Sequence, residues 1–157
     1  MDWTLFTLFL AACCAAATTG SMFPPGDWYR DLSKPAWTPP DWLFPVAWTV
    51  LYLALAYTAA RVAPMDGAAY ALAFWALQIA LNTLWTPIFF GLQRLKAALV
   101  VIAMLWLAVI GLLATYWTLD TLSFWIMSPY LVWVSYAAAL NLSILRRNPD
   151  ARAAQPS

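Results

Sequence analysis

Four residues in one stretch of the chain, Gln78, Asn82, Trp85 and Phe89, stand four, three and four positions apart. On a helix that spacing puts two amides and two aromatic rings on a single face. A second stretch repeats aromatic residues at intervals of four, Phe44, Trp48 and Tyr52. A third brings Tyr130, Trp133, Ala137 and Asn141 after Pro129. The chemistry such groups offer is recognition. Rings stack on a flat apolar ligand, while amide and indole groups orient it by hydrogen bonds. The amides also have a plainer reading, because Asn and Gln join membrane helices to one another. At this level both readings, pocket wall and interhelical glue, stay open. Acid–base and metal chemistry find less support, since the chain has no His and its charged residues gather between long uncharged runs.

Those runs dictate the elements. Of 157 residues, 64% are apolar and 10% charged, whereas a soluble domain carries about a quarter charged residues. High hydrophobicity excludes a disordered chain, and a net charge of +1 excludes a basic nucleic-acid binder. Five charge-free stretches cover 3–26, 42–60, 67–93, 97–119 and 121–145. Each is long enough for the roughly 20 residues that a helix needs to cross a bilayer, and none alternates as a membrane strand would. The expectation is an all-α integral membrane protein with the lipid bilayer as its solvent. It is a compact bundle of five transmembrane helices over 3–22, 43–62, 68–91, 95–118 and 121–145, in a single domain spanning 1–157. No Asp, Glu, Lys or Arg stands near the middle of a span, which argues against an ion-coupled pump.

The segment 22–41 differs from the other connections. Pro24, Pro25, Pro35, Pro39 and Pro40 forbid a regular helix across it. Trp28, Tyr29 and Trp37 are too apolar for a flexible linker. The expectation is a folded loop packed over one end of the bundle, from which Arg30 and Lys34 meet an acidic group on the ligand. With five spans, the loop and the C-terminus share a side that holds Arg30, Lys34, Arg94, Lys96, Arg146, Arg147 and Arg152, against Arg61 alone on the other. In an inner membrane, that asymmetry puts the long loop and the C-terminus on the cytoplasmic side; inner and outer bacterial membranes both stay open. Leu10, Ala11, Ala12 and Cys13 have the form of a lipoprotein cleavage box, but no positive residue precedes them. The preferred reading is a first helix whose Ala12, Ala16 and Gly20 make a close-packing face, with Cys13 and Cys14 as packing residues. Trp3, Trp42, Tyr116 and Trp117 are expected in the interfacial belt. Pro87 and Pro129 are expected to kink their helices.

Three runs resemble the TspO/MBR family, which includes bacterial tryptophan-rich sensory proteins and the mitochondrial translocator protein. The first comprises Trp28, Tyr29, Leu32, Lys34, Pro35, Trp37, Thr38, Pro39 and Pro40, continuing through Phe44, Trp48, Leu51 and Tyr52. The second is Asn82, Trp85, Pro87, Phe89, Phe90 and Gly91, and the third is Pro129, Tyr130, Leu131, Trp133, Ala137, Leu140 and Asn141. The match looks closest to members from photosynthetic alphaproteobacteria. The resemblance implies five membrane helices, a homodimer and a pocket under the first loop. That pocket binds porphyrins such as protoporphyrin IX and haem as ligands, with no cofactor required. By the same resemblance its wall is Tyr29, Trp37, Pro39, Trp48, Gln78, Asn82, Phe89 and Phe90. Three activities follow from the family: a receptor or sensor regulating tetrapyrrole metabolism, a porphyrin transporter, and a light- and oxygen-dependent porphyrin-degrading enzyme that uses Trp. The sterol motif of animal members corresponds here to Leu140, Leu142 and Arg146, with Leu142 where a Tyr is needed. This departure argues against tight cholesterol binding.

Overall fold

A computed structural model describes residues 2–149, so Arg152 lies outside the described residues. Among these the elements are α1 (Trp3–Met22), α2 (Asp27–Asp31), α3 (Leu43–Val62), α4 (Ala69–Thr86), a π-helical turn (Pro87–Gly91), α5 (Leu95–Leu119) and α6 (Thr121–Arg147). Counting α4 with its π turn as one span, five helices are long and apolar enough to cross a membrane. α1 begins where the Asp2 carboxylate accepts the amides of Thr4 and Leu5 at 2.9 and 3.1 Å, satisfying donors that a first turn leaves free. Asp120 does the same for α6, taking the Ser123 amide and hydroxyl. The expected spans at 95–118 and 121–145 run slightly further, to Leu119 and Arg147. The loop is not wholly irregular, because the proline-free stretch between Pro25 and Pro35 has room for the short helix α2.

α5 packs along both α4 and α6, and α1 lies against α3. One close approach needs glycine. A Cβ on Gly111 of α5 would come within 2.3 Å of the Phe74 ring of α4. The dense core lies in the half of the bundle remote from the loop, where Leu55, Val62, Val109, Leu112 and Met127 are fully buried. Trp75 is buried there too, donating its indole N–H to the Leu55 carbonyl at 3.2 Å.

That end is closed by an ion pair. The Arg61 guanidinium holds both carboxylate oxygens of Asp120, at 3.0 and 3.1 Å. Together with the Ser123 bonds, this draws the Asp120 carboxyl down to about 2. Below it, the Tyr116 hydroxyl reaches Thr58 at 3.5 Å.

Two expectations fail here. Tyr116 is not an interfacial residue, since the turn of α5 aims it at α3 and leaves it 1% exposed. Cys13 is buried, but Cys14, one residue on and about 100° around the helix, points outward and packs against no core. Trp3, Trp42 and Trp117 are exposed near span ends, as a membrane belt requires.

Candidate ligand cavity

Beneath α2, and among α1, α3, the end of α4 and α6, lies a cavity of about 640 Å³. This is within the usual range of about 300–1,000 Å³ for small-molecule sites. Its shape begins at Pro87, which has no N–H to continue the α4 ladder. The backbone widens instead, with the Leu92 amide reaching the Pro87 carbonyl at 2.8 Å and Arg94 reaching Ile88 at 3.1 Å. The π turn brings two consecutive aromatics, Phe89 and Phe90, onto the cavity wall with their rings 4.8 Å apart. Its last residue must be glycine, because a Cβ on Gly91 would stand 2.7 Å from the Phe23 ring. What sequence reading takes as a proline kink is therefore a π turn.

The rings are arranged in contact with one another. Trp85 stacks on Phe89 at 4.8 Å and 25°, and Tyr29 from α2 meets Phe90 edge-on at 5.3 Å. Across the cavity Trp48 lies tilted on Tyr52 at 5.5 Å. The polar groups form two fixed bridges. The Asn82 amide donates to the Tyr130 hydroxyl at 3.3 Å, and that hydroxyl donates to Gln78 Oε1 at 2.9 Å. Asn141 accepts the Trp85 indole N–H at 3.3 Å and donates to the Leu95 carbonyl at 3.2 Å. The two readings of the amides thus divide between residues. Gln78, fully buried behind the wall, joins helices, while Asn82 and Asn141 join helices and also face the cavity.

One set of bonds braces the loop from within, and two clamps tie it to the C-terminal end of the bundle. Lys34 Nζ donates to the carbonyls of Tyr29, Arg30 and Leu32 at 2.6, 3.0 and 3.3 Å and stands 4.6 Å over the Tyr29 ring. The Asn148 side chain pairs with Ser33 in both directions at 2.9 Å. The Tyr136 hydroxyl donates to the Trp37 carbonyl at 2.6 Å. Burial, and then the nearby Asp41 carboxylate, push the Tyr29 phenol upward. The loop cations do not do what the sequence suggests. Lys34 is engaged with carbonyls, Arg30 pairs with Asp27 on the surface, and neither lines the cavity.

Of the residues the resemblance nominates, Tyr29, Trp48, Asn82, Phe89 and Phe90 come together on the wall. Gln78 lies behind it. Trp37 packs on Tyr136 outside, at 5.5 Å. Pro39 lines a separate outward-facing groove with Leu43, Trp125, Ser128, Pro129, Val132, Trp133 and Tyr136. Trp133 therefore differs from its expected place. Its ring backs Phe44 and Trp48 at 5.8 and 6.5 Å and faces that groove. Leu140 is on the cavity wall, Leu142 is half-buried elsewhere and Arg146 is exposed, so the sterol-type residues form no single site.

Sequence reasoning missed the contribution of α1. Ala16 and Gly20 wall the cavity, and a Cβ on Gly20 would meet nothing within 4 Å. At Gly20 the small-residue stripe is thus an opening and not a helix contact. The available signal was position, because the stripe ends where the aromatic loop begins. Asp41, also on the wall, had no signal beyond its place after two prolines.

The comparisons with known proteins agree with one another. A sequence profile of the TspO/MBR family matches residues 6–147. Protein CrtK of Rhodobacter capsulatus is 50% identical over 153 residues, covering 95% of this chain and 96% of its own. A tryptophan-rich sensory protein of Cereibacter sphaeroides is 49% identical over 156 residues, with 98% and 99% covered. The human translocator protein is 31% identical over 154 residues, with 93% and 91% covered. With its five apolar helices and a family match over nearly its whole length, the chain is a multi-pass integral membrane protein that belongs to the TspO/MBR family.

Proposed function

We propose that this protein is a membrane receptor or sensor that binds a porphyrin, protoporphyrin IX or haem, and thereby regulates tetrapyrrole metabolism or transport. The observation that carries the reading is the aromatic cavity under the clamped loop. Trp48, Tyr52, Trp85, Phe89 and Phe90 supply faces and edges for a flat macrocycle, and Asn82 and Asn141 supply oriented polar groups. The wall includes no His, Cys or Met, so stacking and hydrogen bonding hold the ring. The names of two relatives, a sensory protein and a translocator protein, support the receptor reading. On this reading the loop and C-terminus face the cytoplasm, and the protein works as a homodimer.

A transporter reading has less support, because Leu55, Val109 and Met127 are fully buried in a close-packed core and none of them lines the cavity. Titration of the purified protein with protoporphyrin IX tests the proposal through quenching of Trp fluorescence. Saturable quenching is expected, weakened about tenfold by Trp48→Ala and several-fold by Asn82→Ala. Affinity unchanged in both variants would contradict the site.

A further inference from the structure

The exposed part of the cavity wall lies along one seam. Within the spans it consists of Ala17, Gly20 and Ser21 of α1 and Pro45 and Thr49 of α3, and the wall residues of α4, the π turn and α6 are buried or half-buried. Further from the loop the two helices close, with Cys13 of α1 in the same packed core as Leu51 and Leu55 of α3. At Gly20 they do not meet, since a Cβ there would find nothing within 4 Å. Both helices are long and apolar enough to cross a membrane, so the seam, in the turns nearest the loop, faces acyl chains and not water. Its hydroxyls are already spent on their own helices. Ser21 donates to the Thr18 carbonyl and Thr49 to the Pro45 carbonyl, each at 2.8 Å. An apolar ring passing such a rim strips no free donor of a partner. The way in from water is obstructed instead. Asn148 and Tyr136 pin the loop, and its Tyr29 and Leu32 are buried.

Resting on the porphyrin reading above, we infer that the seam between α1 and α3 is a lateral portal, through which the ligand enters from the lipid leaflet next to the loop. The portal admits a flat apolar body already dissolved among the acyl chains. Gly20 keeps the passage wide, and the loop stays closed while the ligand passes.

The test uses the full-length protein in lipid nanodiscs and follows quenching of Trp fluorescence by protoporphyrin IX in time, for wild type, Gly20→Phe, Gly20→Ala and Asn148→Ala. A ring at position 20 obstructs a passage in both directions. Gly20→Phe should therefore slow entry and release alike, about tenfold each, and leave Kd nearly unchanged. Gly20→Ala, which adds one methyl group in open space, should give the same pattern at about twofold and guards against a folding loss in the larger variant. Asn148→Ala, which frees the loop, should leave both rates at their wild-type values. Wild-type rates in both Gly20 variants would overturn the inference and leave the porphyrin reading standing. So would faster release with unchanged entry, the mark of a ring that merely crowds the bound ligand. Faster entry in Asn148→Ala would place the route through the loop and overturn it as well. Absence of saturable quenching in wild type would overturn the porphyrin reading and this inference with it.

Discussion

At the ion-pair end of the bundle, Leu55 and Val62 of α3 meet Val109, Leu112 and Met127 with no exposed surface. At the loop end the same helix turns Phe44, Trp48 and Tyr52 toward a cavity of about 640 Å³. The contrast lies in side-chain shape. Aliphatic and small residues let helices close and interdigitate, and the close-packed interior they make leaves no path onward. Wide rings in edge-on, tilted and stacked contact with one another hold the helices apart and line the space between them. Each end is also sealed differently. A bidentate ion pair ties α3 to the start of α6 at one end, and Asn148 and Tyr136 pin the lysine-braced loop at the other. A cavity that opens under a pinned loop and adjoins a close-packed core is the basis on which the receptor is proposed ahead of the transporter.

The division can be broken by substitutions that should act on one end only. The largest effect is expected for Leu112→Ala, which should cost about 2–5 kcal/mol of stability and leave porphyrin affinity unchanged, read by thermal denaturation in detergent and by titration. Trp48→Ala should do the reverse, weakening porphyrin about tenfold with little change in melting temperature. Exchange of these phenotypes would show that the two ends are not separable. Asp120→Asn comes next. The carboxyl is held at about 2, below its ordinary value of 3.8, so its contribution is complete above about pH 4 and is lost as pH falls toward 2. The variant should melt lower than wild type at pH 7, and the two melting curves should converge in strong acid. The smallest effect is expected for Asn148→Ala, which removes the paired bonds to Ser33. Faster amide exchange confined to the loop and the last turn of α6, at nearly constant global stability, is the outcome to look for.

The spans were legible because hydrophobic length sets them, and charge-free runs mark their ends within a few residues. The inward face of Gln78, Asn82, Trp85 and Phe89 was legible because helical period alone assigns it. What a residue does once inside was not. Gln78 and Asn82 share that face, yet only Asn82 reaches the cavity, since Tyr130 from a helix some fifty residues away intervenes. Lys34 read as a free cation because residue types do not show that the end of α2 turns its carbonyls toward a lysine two to five residues on. Trp37, Pro39 and Trp133 belong to aromatic motifs, but the loop's course carries the first two outside the cavity and the third faces outward. The π turn was illegible for a similar reason. A proline in a span announces a broken ladder without saying how the backbone mends it.

Whether a flat tetrapyrrole occupies the cavity under the loop can be seen in a structure of the protein with bound protoporphyrin IX. The macrocycle should lie against Trp48, Trp85 and Phe89, within reach of Asn82, with its carboxylates at the rim of the cavity. A macrocycle lying instead in the outer groove of Leu43, Trp125, Pro129 and Trp133 would contradict it.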